Sequence, residues 1–210
     1  MNKTLLIFGG KSTALEIAEI ANEFFYNEFN CVKNVIGDDE QKKNDVQLFD
    51  SEVVSYANSN KCYYIISFSN HKLRIKIENW MSNIRIDAFN IIHPNAIISK
   101  SAKLGHGNYI AANTIISSYS IIGDHNIINF NTTIGHDAIL NNHNIINPGA
   151  RISGNVKIGS RTLVGANSFI FQGKTIGDDT LIDALTYIDR DIESKMICSS
   201  KQISIYKRVL

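Results

Sequence analysis

The feature that most restricts the fold of this chain is an unbroken six-residue repeat in its second half. An aliphatic residue stands at every sixth position from Ile92 to Ile188, which makes 17 consecutive matches. A small side chain stands two residues before most of these positions, as at Ala96, Thr114 and Ser168. Neither a helical period of 3.6 residues nor a strand period of 2 produces this spacing. The repeat therefore predicts a β-helix whose stacked coils bury the aliphatic columns as one core.

The first 90 residues follow another rule, in which short strands alternate with helices. An apolar run over residues 5–8 ends at Gly9 and precedes a helical pattern; a second strand is predicted over Cys31–Ile36 and a third over residues 63–68, before a helix over 72–81. This order predicts a small parallel sheet of βαβ units. Because ligands bind at the carboxyl ends of such strands, we expect Gly9, Asp38 and Asn70 along one edge.

Composition argues against several classes of protein. The formal net charge of the 210 residues is +1, which predicts no strong attraction to nucleic acid or to an anionic membrane. We find no apolar run long enough for a membrane span and no signal peptide. The three cysteines are widely spaced, which predicts neither a disulfide framework nor a zinc knuckle. We therefore expect a cytoplasmic protein.

The hexad pattern, together with the segment Ile92-His93-Pro94-Asn95-Ala96, resembles the hexapeptide-repeat acyltransferases. The branch in question includes sugar O-acetyltransferases of the sialic acid type and N-acetyltransferases of nucleotide-linked amino sugars. The resemblance implies a small α/β Rossmann-like domain over residues 1–90, which binds the sugar nucleotide. It implies a left-handed parallel β-helix with three hexads per coil and a carboxyl-terminal tail over residues 91–210. It also implies acetyl-CoA as donor and a homotrimer with one active site at each subunit contact.

The same resemblance implies a catalytic centre in the repeats. Ile134-Gly135-His136-Asp137 matches the family's His followed by an acidic residue, so His136 is the expected general base and Asp137 its orienting partner. Imidazole suits this role because its ordinary pKa is near neutral. Gly154, one coil above, matches the glycine whose N–H faces the thioester carbonyl. Gly173 belongs to a segment that resembles the one lining the acyl-CoA groove.

The amino-terminal part supplies the expected acceptor site. Gly9-Gly10-Lys11-Ser12-Thr13 stands where the family has a Gly-rich motif at a helix start, a place that favours anions, although a bare tight turn explains two glycines equally well. Asp38-Asp39 matches an acidic pair expected near base or ribose groups, and the segment with Asn70 and Arg74 matches one after the third strand. The predicted substrate-binding residues are Gly9, Gly10, Ser12, Asp38, Asp39 and Asn70.

Residues 18 apart are expected to stack in columns at about 4.8 Å. His125 and His143 form one such column with Arg161, and a metal site is the alternative to a polar outer face or a subunit contact. No third ligand is apparent and Arg161 would repel a cation, so we expect no metal. Asn108, Asn126 and Asn144 form another column, for which we expect an amide ladder.

Three functions remain open at this point. The first is N-acetylation of a nucleotide-linked amino sugar, and the second is O-acetylation of a sugar such as sialic acid. The third is a non-catalytic β-helical binding module, including ice-binding helices, which need threonines in a flat outward array. Thr114, Thr132 and Thr162 occupy the small-residue position of the hexad instead. We therefore favour an enzyme.

Overall fold

The computed structural model describes residues 3–41 and 47–200. Its amino-terminal part is a five-stranded sheet in the order β3-β2-β1-β4-β5, with parallel pairing between neighbours. The strands are β1 Lys3–Phe8, β2 Cys31–Ile36, β3 Gln47–Phe49, β4 Lys61–Ile66 and β5 Asp87–Ala88. The helices are α1 Thr13–Phe24, α2 Val53–Ser59 and α3 His71–Asn83, with a 3-10 turn at Asp50–Glu52 before α2.

The sheet is a small doubly wound α/β fold, which confirms the prediction for this part of the chain. Leu5, Leu6 and Ile7 of β1 are fully buried because helices cover both faces of this central strand. Helix α1 buries Ala14 and Ile17 at helical spacing against the sheet. The sequence reading missed β3, α2 and β5, which are too short to carry a period of their own.

Over the described residues 91–200 the chain forms 18 two-residue strands, which wind around three flat faces. Face one holds β6 Ile91–Ile92, β9 Tyr109–Ile110, β12 Ile127–Ile128, β15 Ile145–Ile146, β18 Leu163–Val164, β21 Leu181–Ile182 and β23 Ile197–Cys198. Face two holds β7 Ile97–Ile98, β10 Ile115–Ile116, β13 Thr133–Ile134, β16 Arg151–Ile152, β19 Phe169–Ile170 and β22 Tyr187–Ile188. Face three holds β8 Lys103–Leu104, β11 Ile121–Ile122, β14 Ile139–Leu140, β17 Lys157–Ile158 and β20 Thr175–Ile176.

Each coil takes 18 residues, as the pairing of Ile115 with Thr133 and of Thr133 with Arg151 demonstrates. The second residue of each strand points inward, and these residues form one continuous buried core from Ile110 to Ile188. The predicted left-handed parallel β-helix is thereby confirmed. The period changes at the end: Leu181 pairs with Ile197, so the last coil is 16 residues long. Residues 201–210 of the predicted tail lie outside the described residues.

The expected amide ladder is present inside one corner of the helix. Oδ1 of Asn108 accepts a hydrogen bond of 2.8 Å from the backbone N–H of Asn126, and Oδ1 of Asn126 accepts one of 2.8 Å from that of Asn144. Oδ1 of Asn144 likewise accepts a hydrogen bond of 2.8 Å from the backbone N–H of Thr162. The ladder satisfies buried backbone donors that no strand partner reaches.

The amino-terminal domain packs on face one of the β-helix. Outward side chains of that face, among them Tyr109, Ile127 and Ile145, join Leu5 and Ile17 in one buried cluster. Face one borders two corners of the prism, and the third corner joins faces two and three. That third corner is therefore the one that the amino-terminal domain does not adjoin.

The expectation for His125 and His143 is wrong. They lie neither on an outer face nor free for a subunit contact, because α3 and β4 cover them and leave them 3% and 5% exposed. Their rings stack with centroids 5.2 Å apart, and Tyr64 stacks on His125. Glu78 of α3 accepts from Nε2 of His143 at 2.7 Å. The two imidazoles thus belong to the contact between the domain and the helix.

Candidate active site

His136 lies at the corner between faces two and three, next to the turn residue Asp137. Asp137 has a φ of 56°, the left-handed conformation that asparagine and aspartate adopt more readily than most residues. This turn brings the two neighbouring side chains together, and Nδ1 of His136 lies 2.8 Å from Oδ2 of Asp137. A carboxylate only accepts hydrogen bonds, so Nδ1 is the donor of this pair, and in the neutral ring the lone pair is on Nε2. The side chain of His136 is 53% exposed, which leaves Nε2 within reach of a ligand.

Gly154 stands directly over this imidazole in the next coil. A Cβ at residue 154 would lie 2.5 Å from Nε2 of His136 and 2.8 Å from its Cε1. Only glycine therefore leaves the ring where it is. The N–H of Gly154 forms no hydrogen bond with another described residue.

Gly173 occupies the turn one coil above Asn155, which itself stands above Asp137. Its φ is 74°, and a Cβ there would meet nothing within 4 Å. The glycine thus serves the backbone conformation and leaves an open surface at the same corner. His136, Asp137, Gly154 and Gly173 lie together on one edge of the prism, and the position of Gly154 over His136 is the one that their spacing predicted.

A second site lies at the edge of the amino-terminal sheet, between β1 and β4, where the strand order reverses. A cavity of about 410 Å³ is lined there by Gly9, Gly10, Lys11 and Asp39. An adjoining cavity of about 350 Å³ is lined by residues 11–13 and 67–69 on one side and by the β-helix on the other. Ligands of doubly wound sheets bind at this crevice. We call the two cavities together the amino-terminal cleft.

The conformation of Gly9 and Ser12 shapes the cleft. Gly9 has a φ of 127°, and a Cβ there would collide with Oγ of Ser67. Ser12 precedes α1 with a φ of 36°, and its hydroxyl does not cap the helix. A strained residue of this kind is typical of a functional loop. In the first turn of α1, the N–H groups of Ala14 and Leu15 donate to the carbonyl oxygens of Lys11 and Ser12, at 2.8 and 3.0 Å, whereas that of Thr13 donates to no described residue.

Asp38 and Asp39, the two acidic residues after β2, make different contacts. Oδ1 of Asp38 accepts hydrogen bonds from the backbone N–H and the hydroxyl of Ser51, at 3.1 and 3.0 Å, which ties the loop to the 3-10 turn. Asp39 lines the cleft and a further cavity of about 340 Å³. Asn70 caps α3 by accepting from the N–H of Leu73 at 3.1 Å. Of these three predicted residues, the structure brings Asp39 to the cleft.

Arg74 is a residue whose importance the sequence reading did not recognise. It is fully buried, and Nη1 donates to the carbonyl oxygen of Phe68 at 2.7 Å. Nη2 donates to the carbonyl oxygen of His125. Burial lowers the pKa of Arg74 to about 10, so the guanidinium stays charged at neutral pH. Arg74 thereby fixes the segment at Phe68, which lines the cleft, to the β-helix.

The stacked histidines are poorly placed to hold a metal ion. Burial and the nearby charges of His143 and Arg74 lower the pKa of His125 to about 3. The Nε2 atoms of both rings face the carboxylate of Glu78, at 3.6 Å for His125 and 2.7 Å for His143, and Arg74 adds positive charge beside them. Within residues 3–41 and 47–200, no three His, Cys, Asp or Glu side chains converge as metal ligands. In the same ranges, no helix is long and apolar enough to cross a membrane.

The sequence matches no protein-family model and no curated protein. Solved structures do resemble it along nearly its whole length. A variant of perosamine N-acetyltransferase from Caulobacter crescentus, in complex with CoA and GDP-perosamine, is 25% identical with a TM-score of 0.85 over 92% of each chain. The acetyltransferase domain of PglB from Neisseria gonorrhoeae, in complex with acetyl coenzyme A, is 23% identical with a TM-score of 0.84, over 94% of this chain and 96% of that one.

WeeI from Acinetobacter baumannii has a TM-score of 0.86 at 15% identity, over 93% of this chain and 95% of that one. The likeness extends through both the α/β domain and the coils, because more than nine-tenths of each chain is covered in the three comparisons. The chain is therefore similar along nearly its whole length to solved acetyltransferases, and it has the same fold, an amino-terminal Rossmann-like domain before a left-handed β-helix.

Proposed function

We propose that this protein transfers the acetyl group of acetyl-CoA to the amine of a nucleotide-linked amino sugar. The observation that carries the proposal is the half-exposed His136 imidazole, whose Nδ1 lies 2.8 Å from Oδ2 of Asp137 and whose Nε2 lies below Gly154. The solved structure that is 25% identical binds CoA and GDP-perosamine, which supports the same two classes of ligand here.

In this reaction His136 is the general base. The amine nitrogen of the acceptor attacks the thioester carbon, and Nε2 of His136 takes a proton from that nitrogen. The carbon–sulfur bond then breaks, the acetyl group stays on the nitrogen as an amide, and the thiolate leaves and is protonated. Asp137 keeps the ring oriented and stabilises the imidazolium that forms. General-base catalysis of this kind contributes about 10²–10⁴-fold in rate.

The N–H of Gly154 is suited to the negative charge that develops on the thioester oxygen. Residue 154 stands over the imidazole, and its N–H donates to no other described residue. A preorganised donor at this place stabilises the tetrahedral intermediate. Gly173, on the same edge, leaves the surface open for the donor. We therefore assign Gly154 and Gly173 to the acetyl-CoA site.

The amino-terminal cleft is the proposed place for the nucleotide. Lys11 and the first turn of α1 favour the diphosphate, with Gly9, Gly10 and Ser12 in the loop beside it. Asp39 faces the same cleft and accepts hydrogen bonds from base or ribose groups. Asp38 and Asn70 contribute through the loops that they fix, since their side chains bond to Ser51 and Leu73.

We further propose a homotrimer. In one subunit His136 lies on the corner that the amino-terminal domain does not adjoin, so its own cleft and its own base face different ways. A neighbouring prism brings a cleft to each base. Faces two and three expose Ile97, Ile115 and Ile121 at 64%, 42% and 44%, which supports their burial against another subunit. A stable, fully active monomer in sedimentation would refute this arrangement.

The cytoplasm is the proposed compartment, since both acetyl-CoA and sugar nucleotides are made there. The cysteines agree with a reducing compartment, because Cys31, Cys62 and Cys198 form no disulfide bond.

The test is a screen of purified protein with acetyl-CoA and UDP-, dTDP- or GDP-linked amino sugars, in which thiol release is followed. Sialic acid is included as the acceptor for the alternative O-acetylation. Release that depends on an amino sugar supports the proposal, and release with sialic acid alone contradicts it. The ice-binding alternative is disfavoured by Thr114, Thr132 and Thr162, which are fully buried.

A further inference from the structure

The wall of the amino-terminal cleft that the β-helix supplies has no assigned role. In the cavity of about 350 Å³ this wall consists of Ile127, Asn129, Ile145 and Asn147. The opposite wall carries Lys11 and the start of α1. A ligand that fills the cleft therefore touches two surfaces of different chemistry, one cationic and one made of carboxamides over aliphatic side chains.

The two asparagines occupy the same position in consecutive coils. Each follows an inward residue, Ile128 or Ile146, and they are 18 residues apart in one column with Ala111 below and Gly165 above. Their backbone N–H groups are used in the sheet, at 2.9 Å to Ile146 and 2.9 Å to Val164. The column thus carries a carboxamide only at the two coils that the cleft reaches.

The carboxamides differ in what they already bind. Nδ2 of Asn129 donates to the carbonyl oxygen of Ile146 at 3.1 Å, so this side chain braces the corner. The half-buried side chain of Asn147 makes no hydrogen bond with another described residue. A carboxamide has two donor hydrogens and an acceptor oxygen, all of which Asn147 can offer to a ligand. Asn147 therefore has free capacity that faces the cavity.

We propose that Asn147 is a specificity-determining residue that the β-helix contributes to the acceptor site, where it hydrogen-bonds a hydroxyl of the sugar. This inference rests on the proposed function. The charged wall at Lys11 suits the diphosphate, and an uncharged amide on the opposite wall suits a hydroxyl, which both donates and accepts. Under this proposal the amino-terminal domain and the β-helix both contact the acceptor and determine its specificity.

The test uses Asn147→Ala and Asn147→Asp in the full chain, with acetyl-CoA and the best nucleotide-linked amino sugar. Alanine is accommodated at this column position, as Ala111 demonstrates, so the variant is expected to fold. Loss of one hydrogen bond should raise the acceptor KM about three- to tenfold and leave the acetyl-CoA KM unchanged. Aspartate keeps the shape but adds a charge that repels the diphosphate, so it should raise the acceptor KM further.

Asn141→Ala is the matched control, because Asn141 follows inward Leu140 at the same hexad position but lies on another corner, outside the cleft. An unchanged acceptor KM in Asn147→Ala, or an equal rise in Asn141→Ala, overturns the inference while the proposed function stands. A wild-type protein that turns over none of the nucleotide-linked amino sugars refutes the proposed function, and this inference with it.

Discussion

Gly154→Ala is the substitution that tests the geometry around His136 most directly. The new Cβ would lie 2.5 Å from Nε2 of His136, whereas nonbonded carbon and nitrogen atoms need about 3.5 Å. The φ of Gly154 is outside the left-handed region, so alanine strains no backbone there. The imidazole must retreat by about 1 Å, and a misplacement of that size costs about 10²-fold in turnover, or about 2.7 kcal/mol of the barrier.

Stability should hardly change, because the ring is half exposed and free to swing; we expect less than about 1 kcal/mol. Thiol-release kinetics measure the first quantity and thermal unfolding the second. Gly135→Ala is the contrasting control. Its Cβ would meet the backbone carbonyl carbon of Ser153 at 2.6 Å, which cannot move aside, so the fold should lose about 1–3 kcal/mol.

Near-normal turnover in Gly154→Ala would show that His136 does not act from the observed position. The assignment of His136 as the general base would then be wrong. A large loss of stability in Gly154→Ala, equal to that in Gly135→Ala, would instead contradict the view that only a mobile side chain is displaced.

Three further predictions follow from the same structure. His136→Asn should lower turnover about 10²–10⁴-fold without loss of acetyl-CoA binding, while the exposed His106→Asn should leave both unchanged; the reverse result would contradict the assignment. Asp39→Ala should raise the acceptor KM more than the acetyl-CoA KM, and Asp38→Ala should mainly lower the melting temperature, since its carboxylate ties a loop; equal kinetic effects would refute this division. Finally, stability should fall as pH falls from 6.5 toward 3. The reason is that the unfolded chain binds a proton at His125, whereas burial keeps this imidazole neutral in the folded chain. The free energy of unfolding should therefore be about 2 kcal/mol lower at pH 5 than at neutral pH. Denaturant midpoints that do not change over this range would contradict the burial argument.

The β-helix was predictable from the sequence because its rules are local. Each inward position from Ile110 to Ile188 recurs at six residues, and stacking converts a separation of 18 into contact. The same translation predicted the ladder of Asn108, Asn126 and Asn144 and the position of Gly154 over His136. Because each coil pairs with the next copy of the same repeat, its structure can be predicted without reference to the rest of the chain.

The contact between the two parts was not predictable in this way. The column of His125 and His143 was found from the repeat, yet only the folded chain places Tyr64, Arg74 and Glu78 against it. Those residues come from a sheet and a helix that share no period with the coils. Whether the column of His125 and His143 faces solvent or is covered by the amino-terminal domain therefore depends on side chains that are far apart in the sequence.

Local rules were also insufficient where neighbouring residues take different roles. Asp38 and Asp39 are equivalent as a motif, but the path of one loop turns the first toward Ser51 and the second toward the cleft. The sequence by itself determined the coil, its core and the column of His136, because register in a repeat is set by short-range periodicity. The tertiary structure alone decided which face the amino-terminal domain covers, which carboxylate meets the cleft and which wall Asn147 joins, because these depend on packing between segments that no period relates.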